Sequence, residues 1–205
     1  MRDQTIAQFL NQLAARVPAP GGGATAALHA AQAAALLAMV ARYSDGPKYA
    51  EHAETIGRIL GEADALVTDA LDLASADAEA FGAVASAYKL PKDTEDDKRA
   101  RSTAIEAALG GAARPPADVV LAALRLAQLS EELLPVANRN VLTDVAVAAD
   151  AARAAGVAAA INIEVNLRGI KDTSLSEELR GTAALTGEIT EIAARVVSAV
   201  RKEIA

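Results

Sequence analysis

Alanine sets the shape of this chain. It occupies 53 of the 205 positions, and the other apolar residues recur at steps of three and four rather than alternately. Alanine is the strongest helix former, and such spacing gathers apolar groups on one side of a helix. Alternating runs of Val, Ile, Thr and aromatic residues are missing, apart from 161–167, which fits a helix equally well. The expected fold is all-α. Faces lined by alanine let helix axes approach to about 8 Å, the close end of the usual range.

Breaks in the pattern divide the chain into about seven helices. The first covers roughly 3–15, with Ile6, Phe9, Leu10 and Leu13 on one face, and ends at Val17-Pro18-Ala19-Pro20-Gly21-Gly22-Gly23. The second covers 24–43 and stops at Ser44-Asp45-Gly46-Pro47, a turn by its Gly and Pro. The third is long, 48–89, with a stripe of Leu66, Ala70, Leu73, Asp77, Phe81, Val84 and Tyr88. A fourth runs 95–109 to Gly110-Gly111. A fifth opens at Pro115-Pro116, since proline in a first turn loses no needed donor, and ends near Pro135. The sixth spans 143–167. The seventh runs from Thr173-Ser174 to the C-terminus, with Glu177 three residues after Ser174 in a capping-box pattern.

With no repeat and no linker, residues 1–205 read as one domain, within the size at which a single core stops growing, about 250 residues. The absence of cysteine rules out disulfides, thiolate zinc sites and a Cys nucleophile. Two histidines are too few for a His-rich metal cluster. The net charge of −7 argues against general nucleic-acid binding. The first residues lack a basic and then apolar leader, so no signal peptide and a cytoplasmic location are expected. Residues 24–41 and 146–163 are apolar enough to raise a membrane reading. The first is mostly alanine and carries His29 and Gln32, and the second contains Asp150 and Arg153. Both read as buried helices of a soluble bundle.

Against this apolar background, three polar features stand out. Gly21, Gly22 and Gly23 precede a helix N-terminus, where free N–H groups can hold an anion. The same glycines would also serve a tight helix crossing. Asp77 falls within an apolar stripe, where burial would raise its pKa and suit it to acid/base work. It could equally cap another helix or pair with an arginine. Asn138-Arg139-Asn140-Val141-Leu142-Thr143-Asp144 is followed by Asn162 and Asn166, one turn apart. Asp144 lies 18 residues before Asn162 and shares its face if the helix is unbroken. These groups would bind a ligand, lock helices together or join a dimer. His29 reads as a core or interface residue and His52 as surface.

Together these segments resemble the cyclodeaminase/cyclohydrolase family of folate enzymes, the C-terminal domain of formiminotransferase-cyclodeaminase. The matching pieces are Phe9-Leu10, the run from Pro18 to Ala27, Met39-Val40-Ala41-Arg42, Asp77-Ala78-Glu79-Ala80-Phe81 and Leu90-Pro91-Lys92. They continue with Arg101 to Ala107, Asn138 to Asp144, and Asn162 to Leu167. The chain departs from the usual pattern at Ala24, Ala137, Thr143 and Tyr43-Ser44-Asp45-Gly46.

The resemblance implies an all-helical homodimer acting on a one-carbon-loaded tetrahydrofolate. Two reactions go with it: cyclisation of 5-formiminotetrahydrofolate to 5,10-methenyltetrahydrofolate with loss of ammonia, or hydrolysis of the methenyl compound to 10-formyltetrahydrofolate. It implies no metal and no cofactor beyond the folate substrate. Asp77 and Asp144 would be the catalytic carboxylates. Asn138, Asn162 and Asn166 would hold the pterin or orient the carboxylates, Lys92 would face the anionic glutamate tail, and Gly21, Gly22 and Gly23 would give backbone contacts. Aromatic partners for a pterin are scarce, with Phe81 and Tyr88 the nearest to Asp77 by helical phase. No transferase segment accompanies this sequence, so substrate passage within one polypeptide is not expected. The rival is a non-catalytic helical interaction or scaffold protein, in which Asp77, Asn162 and Asn166 would be buried and satisfy one another without a pocket.

Overall fold

The computed structural model describes residues 3–205, leaving the first two residues of the expected 1–205 domain outside the description. Seven α-helices follow one another: α1 (Ile6–Leu13), α2 (Gly22–Arg42), α3 (Ala53–Ala87), α4 (Glu95–Leu133), α5 (Leu142–Leu167), α6 (Thr173–Ala184) and α7 (Thr186–Glu203). Short 3₁₀ segments cover Pro47–His52 and Arg139–Val141. No strand occurs among the described residues.

The central helix is α2. Twelve of its 21 residues are buried and nine of those are alanine, so α3, α4 and α5 can pack against it on different sides. The gaps between axes are filled by fully buried larger residues, among them Leu37, Ile59, Leu126, Leu129, Ile163 and Ile189. α7 lies against α5 and α4, and α6 closes one end over the same pair. α1 buries none of its residues, and its expected apolar face leaves Ile6 and Leu10 exposed. A reciprocal Thr5–Gln8 capping box starts it.

Two stretches, Gly22–Arg42 and Arg139–Leu167, are long and apolar enough to cross a membrane by length and composition. Within the bundle, 61% of an 18-residue window of the first is buried and 44% of such a window of the second. The second figure reflects an exposed apolar stripe on α5: Val147, Ile161 and Val165 are all more than half exposed.

The helix count agrees with the sequence pattern, but the divisions differ. The segments expected as 95–109 and 115–135 are one helix, α4, running through Gly110, Gly111, Pro115 and Pro116. An interior proline costs about 3 kcal/mol relative to alanine. Here both prolines are buried together with Ala112, Ala113 and Ala117, and packing on both sides offsets that cost. Conversely, the expected C-terminal helix is two, α6 and α7, which turn at Leu185. No proline marks that turn and Gly187 falls beyond it, so the pattern runs through. The cap of α6 is Asp172, which accepts from Leu175 N–H at 3.1 Å, rather than Ser174 with Glu177. The start of the third helix is 3₁₀ from Pro47 to His52 and α-helical from Ala53.

Candidate active site

The N-terminus of α2 lacks a side-chain cap. Its N-cap residue, Gly21, has extended backbone and no side chain of its own to accept from the first turn. Four orphan N–H groups at a helix start need acceptors. One acceptor comes from across the interface, because the Asp77 carboxylate of α3 accepts the Ala24 N–H. Gly23 makes this approach possible. It is buried, and a Cβ there would overlap the Asp77 carboxylate.

Two influences act on Asp77. Burial raises its pKa and is the larger; the Ala24 N–H, reinforced by the positive end of α2, lowers it. The net shift is upward. A half-buried carboxyl with a raised pKa and a hydrogen-bond donor is suited to exchange protons.

Asp77 opens on a cleft of about 490 Å³, a volume typical of small-molecule sites. Gly21, Gly22, Gly23, Asn162 and Asn166 line it with Asp77, so the structure unites the glycine loop, the α3 carboxylate and the asparagine pair of α5. The cleft also collects Phe81, Val84 and Tyr88, which follow Asp77 at helical spacing. Phe81 is 47% exposed and Tyr88 52%. With five aromatics in the whole chain, two standing open beside one carboxylate form a flat apolar wall. The loop wall includes Pro18 and Ala19, and the Ala19–Pro20 peptide is cis.

Both asparagines are held by backbone. Asn162 Nδ2 donates to the Ala158 carbonyl at 2.8 Å. Asn166 Nδ2 donates to the Asn162 carbonyl at 3.0 Å and to the Ala112 carbonyl of α4 at 3.3 Å. Only an amide NH₂ can donate to a carbonyl, so these bonds fix which end is nitrogen. The carbonyl oxygens remain as acceptors. The three polar side chains bond to backbone rather than to one another, and they border a cleft, contrary to the arrangement a scaffold role requires.

The remaining candidates lie elsewhere. Lys92 borders a smaller cavity of about 180 Å³ with Lys98, Arg101, Lys171 and Glu106. Gly169 lines both cavities, so the two adjoin. Arg101 joins them too: its guanidinium lies 5.5 Å from the centre of the Tyr88 ring and donates to the Tyr88 carbonyl at 3.1 Å.

Asn138 sits at the far end of α5. Its Nδ2 donates to the Tyr43 carbonyl at 2.7 Å, and its backbone N–H donates to Ser44 Oγ at 2.8 Å. It thereby ties the end of α2 to the start of α5. α5 is unbroken, so Asp144 does share a face with Asn162, but 18 residues amount to about 27 Å along the axis. Neither Asn138 nor Asp144 lines the cleft.

Sequence reasoning missed Leu109, Ala112, Arg168 and Gly169 as cleft residues. Gly169 was the available signal: it follows the asparagine pair at the end of a helix, and a Cβ there would overlap Leu109. No trio of His, Asp or Glu side chains is arranged to hold a metal among the described residues.

Comparison with known proteins places the chain in a family. The family described as formiminotransferase-cyclodeaminase matches residues 5–185. A methenyltetrahydrofolate cyclohydrolase of Methylorubrum extorquens is 35% identical over 211 residues, covering 98% of each chain. A formimidoyltransferase-cyclodeaminase of Rattus norvegicus is 32% identical over 87% of this chain, which spans only 33% of that relative. The solved structure of a formiminotetrahydrofolate cyclodeaminase from Thermotoga maritima superimposes with a TM-score of 0.88 at 28% identity, covering 100% of this chain and 99% of that one.

Proposed function

The chain belongs to the formiminotransferase-cyclodeaminase family, and on that premise we propose that it is a folate one-carbon enzyme hydrolysing 5,10-methenyltetrahydrofolate to 10-formyltetrahydrofolate. The observation that carries the reading is Asp77, a half-buried carboxyl of raised pKa in a cleft with two fixed asparagines and an open aromatic wall. The near-complete overlap with the Methylorubrum extorquens cyclohydrolase supports hydrolysis.

The substrate carries a cationic carbon between N5 and N10. Asp77 stabilises that charge and takes a proton from the attacking water as the C–O bond forms. It returns a proton to N5 as the C–N5 bond breaks, and the hydroxyl proton of the intermediate leaves to solvent. The carbonyl oxygens of Asn162 and Asn166 accept from the N–H groups of the pterin edge, and Phe81 and Tyr88 cover its face. Backbone N–H groups at Gly22 and Gly23 contact its acceptors. Lys92, with Lys98, Arg101 and Lys171, meets the carboxylates of the glutamate tail. The reaction uses no cofactor beyond the folate itself.

A second reading, cyclisation of 5-formiminotetrahydrofolate with loss of ammonia, draws on the Thermotoga maritima structure. The same carboxyl would then remove the N10 proton and deliver one to the departing nitrogen.

The working form in this reading is a cytoplasmic homodimer. The stripe of exposed Val147, Ile161 and Val165, with half-buried Ala154 and Ala158 between them, is nearly symmetric about Gly156, as an isologous antiparallel contact requires. Such pairing sets the partner subunit's Asp144 opposite residue 168, beside the cleft, and gives that carboxylate a role. Asn138 supports it by fixing the start of α5.

The test follows the methenyltetrahydrofolate absorption band while the protein is offered 5,10-methenyl- and 5-formiminotetrahydrofolate in turn. Decay of the band supports hydrolysis, and its appearance from the formimino compound supports cyclisation. Activity on neither, with no folate bound, returns the chain to the scaffold reading. Light scattering of wild type against Ile161→Glu checks the dimer.

A further inference from the structure

We infer that Pro116 is a positioning residue for the cleft: it turns a backbone carbonyl out of α4 to orient Asn166. In an α-helix the carbonyl of residue 112 accepts the N–H of residue 116. Residue 116 is proline, which has no N–H, and its ring crowds that same carbonyl. The Ala112 carbonyl is therefore left without its helical partner and tilted away from the helix axis.

What meets it is Asn166 Nδ2, 3.3 Å away on α5. The second hydrogen of that amide goes to the Asn162 carbonyl at 3.0 Å. A planar NH₂ group donating to two carbonyls on different helices is fixed in rotation as well as in tilt. Asn162, by contrast, is held by one bond to its own helix. Ala112 and Asn166 both line the cleft, and Pro116 is buried one turn further along α4. Pro115 frees the Gly111 carbonyl in the same way, but Gly111 does not line the cleft. Of the two prolines, only Pro116 frees a carbonyl of a cleft residue.

The proposal rests on the folate reading for its kinetic consequence, though not for the bond itself. Pro116→Ala restores the backbone donor, draws the Ala112 carbonyl back into α4 and loosens Asn166. Loss of a neutral hydrogen bond corresponds to an increase of about five- to tenfold in KM for methenyltetrahydrofolate, with kcat within about twofold and thermal stability equal or higher. Asn166→Ala, which removes the contact itself, raises KM at least as much, and adding Pro116→Ala to it changes nothing further. Pro115→Ala leaves KM within about twofold, because the carbonyl it recaptures does not face the site. An unchanged KM in Pro116→Ala, an equal rise in Pro115→Ala, or additive effects in the double variant overturns the proposal.

A second readout does not need turnover. The Asn166 side-chain amide signal in a ¹H–¹⁵N spectrum, assigned by its loss in Asn166→Ala, is expected to shift and exchange faster with solvent in Pro116→Ala and to stay put in Pro115→Ala. An unmoved signal in Pro116→Ala overturns the proposal even if the protein is inactive. A wild type without folate activity but with that shift overturns the functional reading alone.

Discussion

The two ends of α3 treat their carboxylates in opposite ways. Glu62, near its start, accepts from Arg125 of α4 at 2.7 and 3.0 Å and from Arg58 at 2.7 Å. The Arg125 hydrogen bonds hold its pKa down to about 2. Arg125 and Arg58 also bind Glu132, completing a four-residue network between α3 and α4. Asp77, 15 residues later, has one backbone donor, and burial raises its pKa. The first carboxylate is fully compensated and joins two helices. The second is left undercompensated beside a cleft. In the proposed reading, unpaired cost at one place and saturation at another on the same helix separate chemistry from scaffolding.

Removing the carboxylate from the cleft is the strongest way to test this contrast. Asp77→Asn preserves shape and the acceptor to Ala24, and is expected to lower kcat by about 10²–10⁴-fold, the usual contribution of an acid/base group. Its thermal melt should not fall. Full turnover in a folded Asp77→Asn protein would remove the residue from the mechanism. The next largest effect comes from Gly23→Ala, whose methyl group displaces the Asp77 carboxylate. A shift of that kind costs up to about 10²-fold in kcat, measured in the same assay.

At the other end of α3 the effect moves from rate to stability. Glu62→Gln breaks the network and is expected to cost about 1 kcal/mol in urea unfolding, a modest figure because these groups are about a third exposed. Turnover should be unchanged, and a fall in kcat would erase the distinction between the two regions. The smallest effect is the opposite pH dependence of the two carboxylates. Glu62 has a folded pKa below its unfolded value, so its stabilisation is present above pH 4.5 and lost as pH falls toward about 2. Asp77 has a folded pKa above its unfolded value, so its contribution is lost as pH rises through that raised pKa. Acid-unfolding curves of Glu62→Gln and Asp77→Asn should therefore deviate from wild type in opposite senses. kcat/KM of wild type should rise with pH through an inflection above the ordinary Asp range, and Asp77→Asn should lack it.

The helices were legible because alanine and leucine spacing carries that information locally. Asp77, Asn162, Asn166 and the glycines could be picked out because polar groups interrupt otherwise apolar faces. Position along a helix was the limit. Phase puts Asp144 on the face of Asn162, but phase says nothing of the five turns between them. Pro115-Pro116 misled for a related reason: a local stop signal yields when the turn is buried from both sides. Arg168 and Ala112 carry no mark in the sequence at all. They enter the cleft because α4 and α5 pack where they do, and that is decided by the alanine contacts of α2.

An interior lined with methyl groups also shapes how the gene can vary. Of the residues one base change from an alanine codon, only glycine is smaller; valine, threonine, serine, proline, aspartate and glutamate all add atoms. At the buried alanines of α2 each addition must push two helices apart, at about 1–3 kcal/mol. Most proteins are damaged chiefly by hollowing their cores. This one is exposed to the reverse hazard, and its tolerated drift should be confined to the outward faces of its helices.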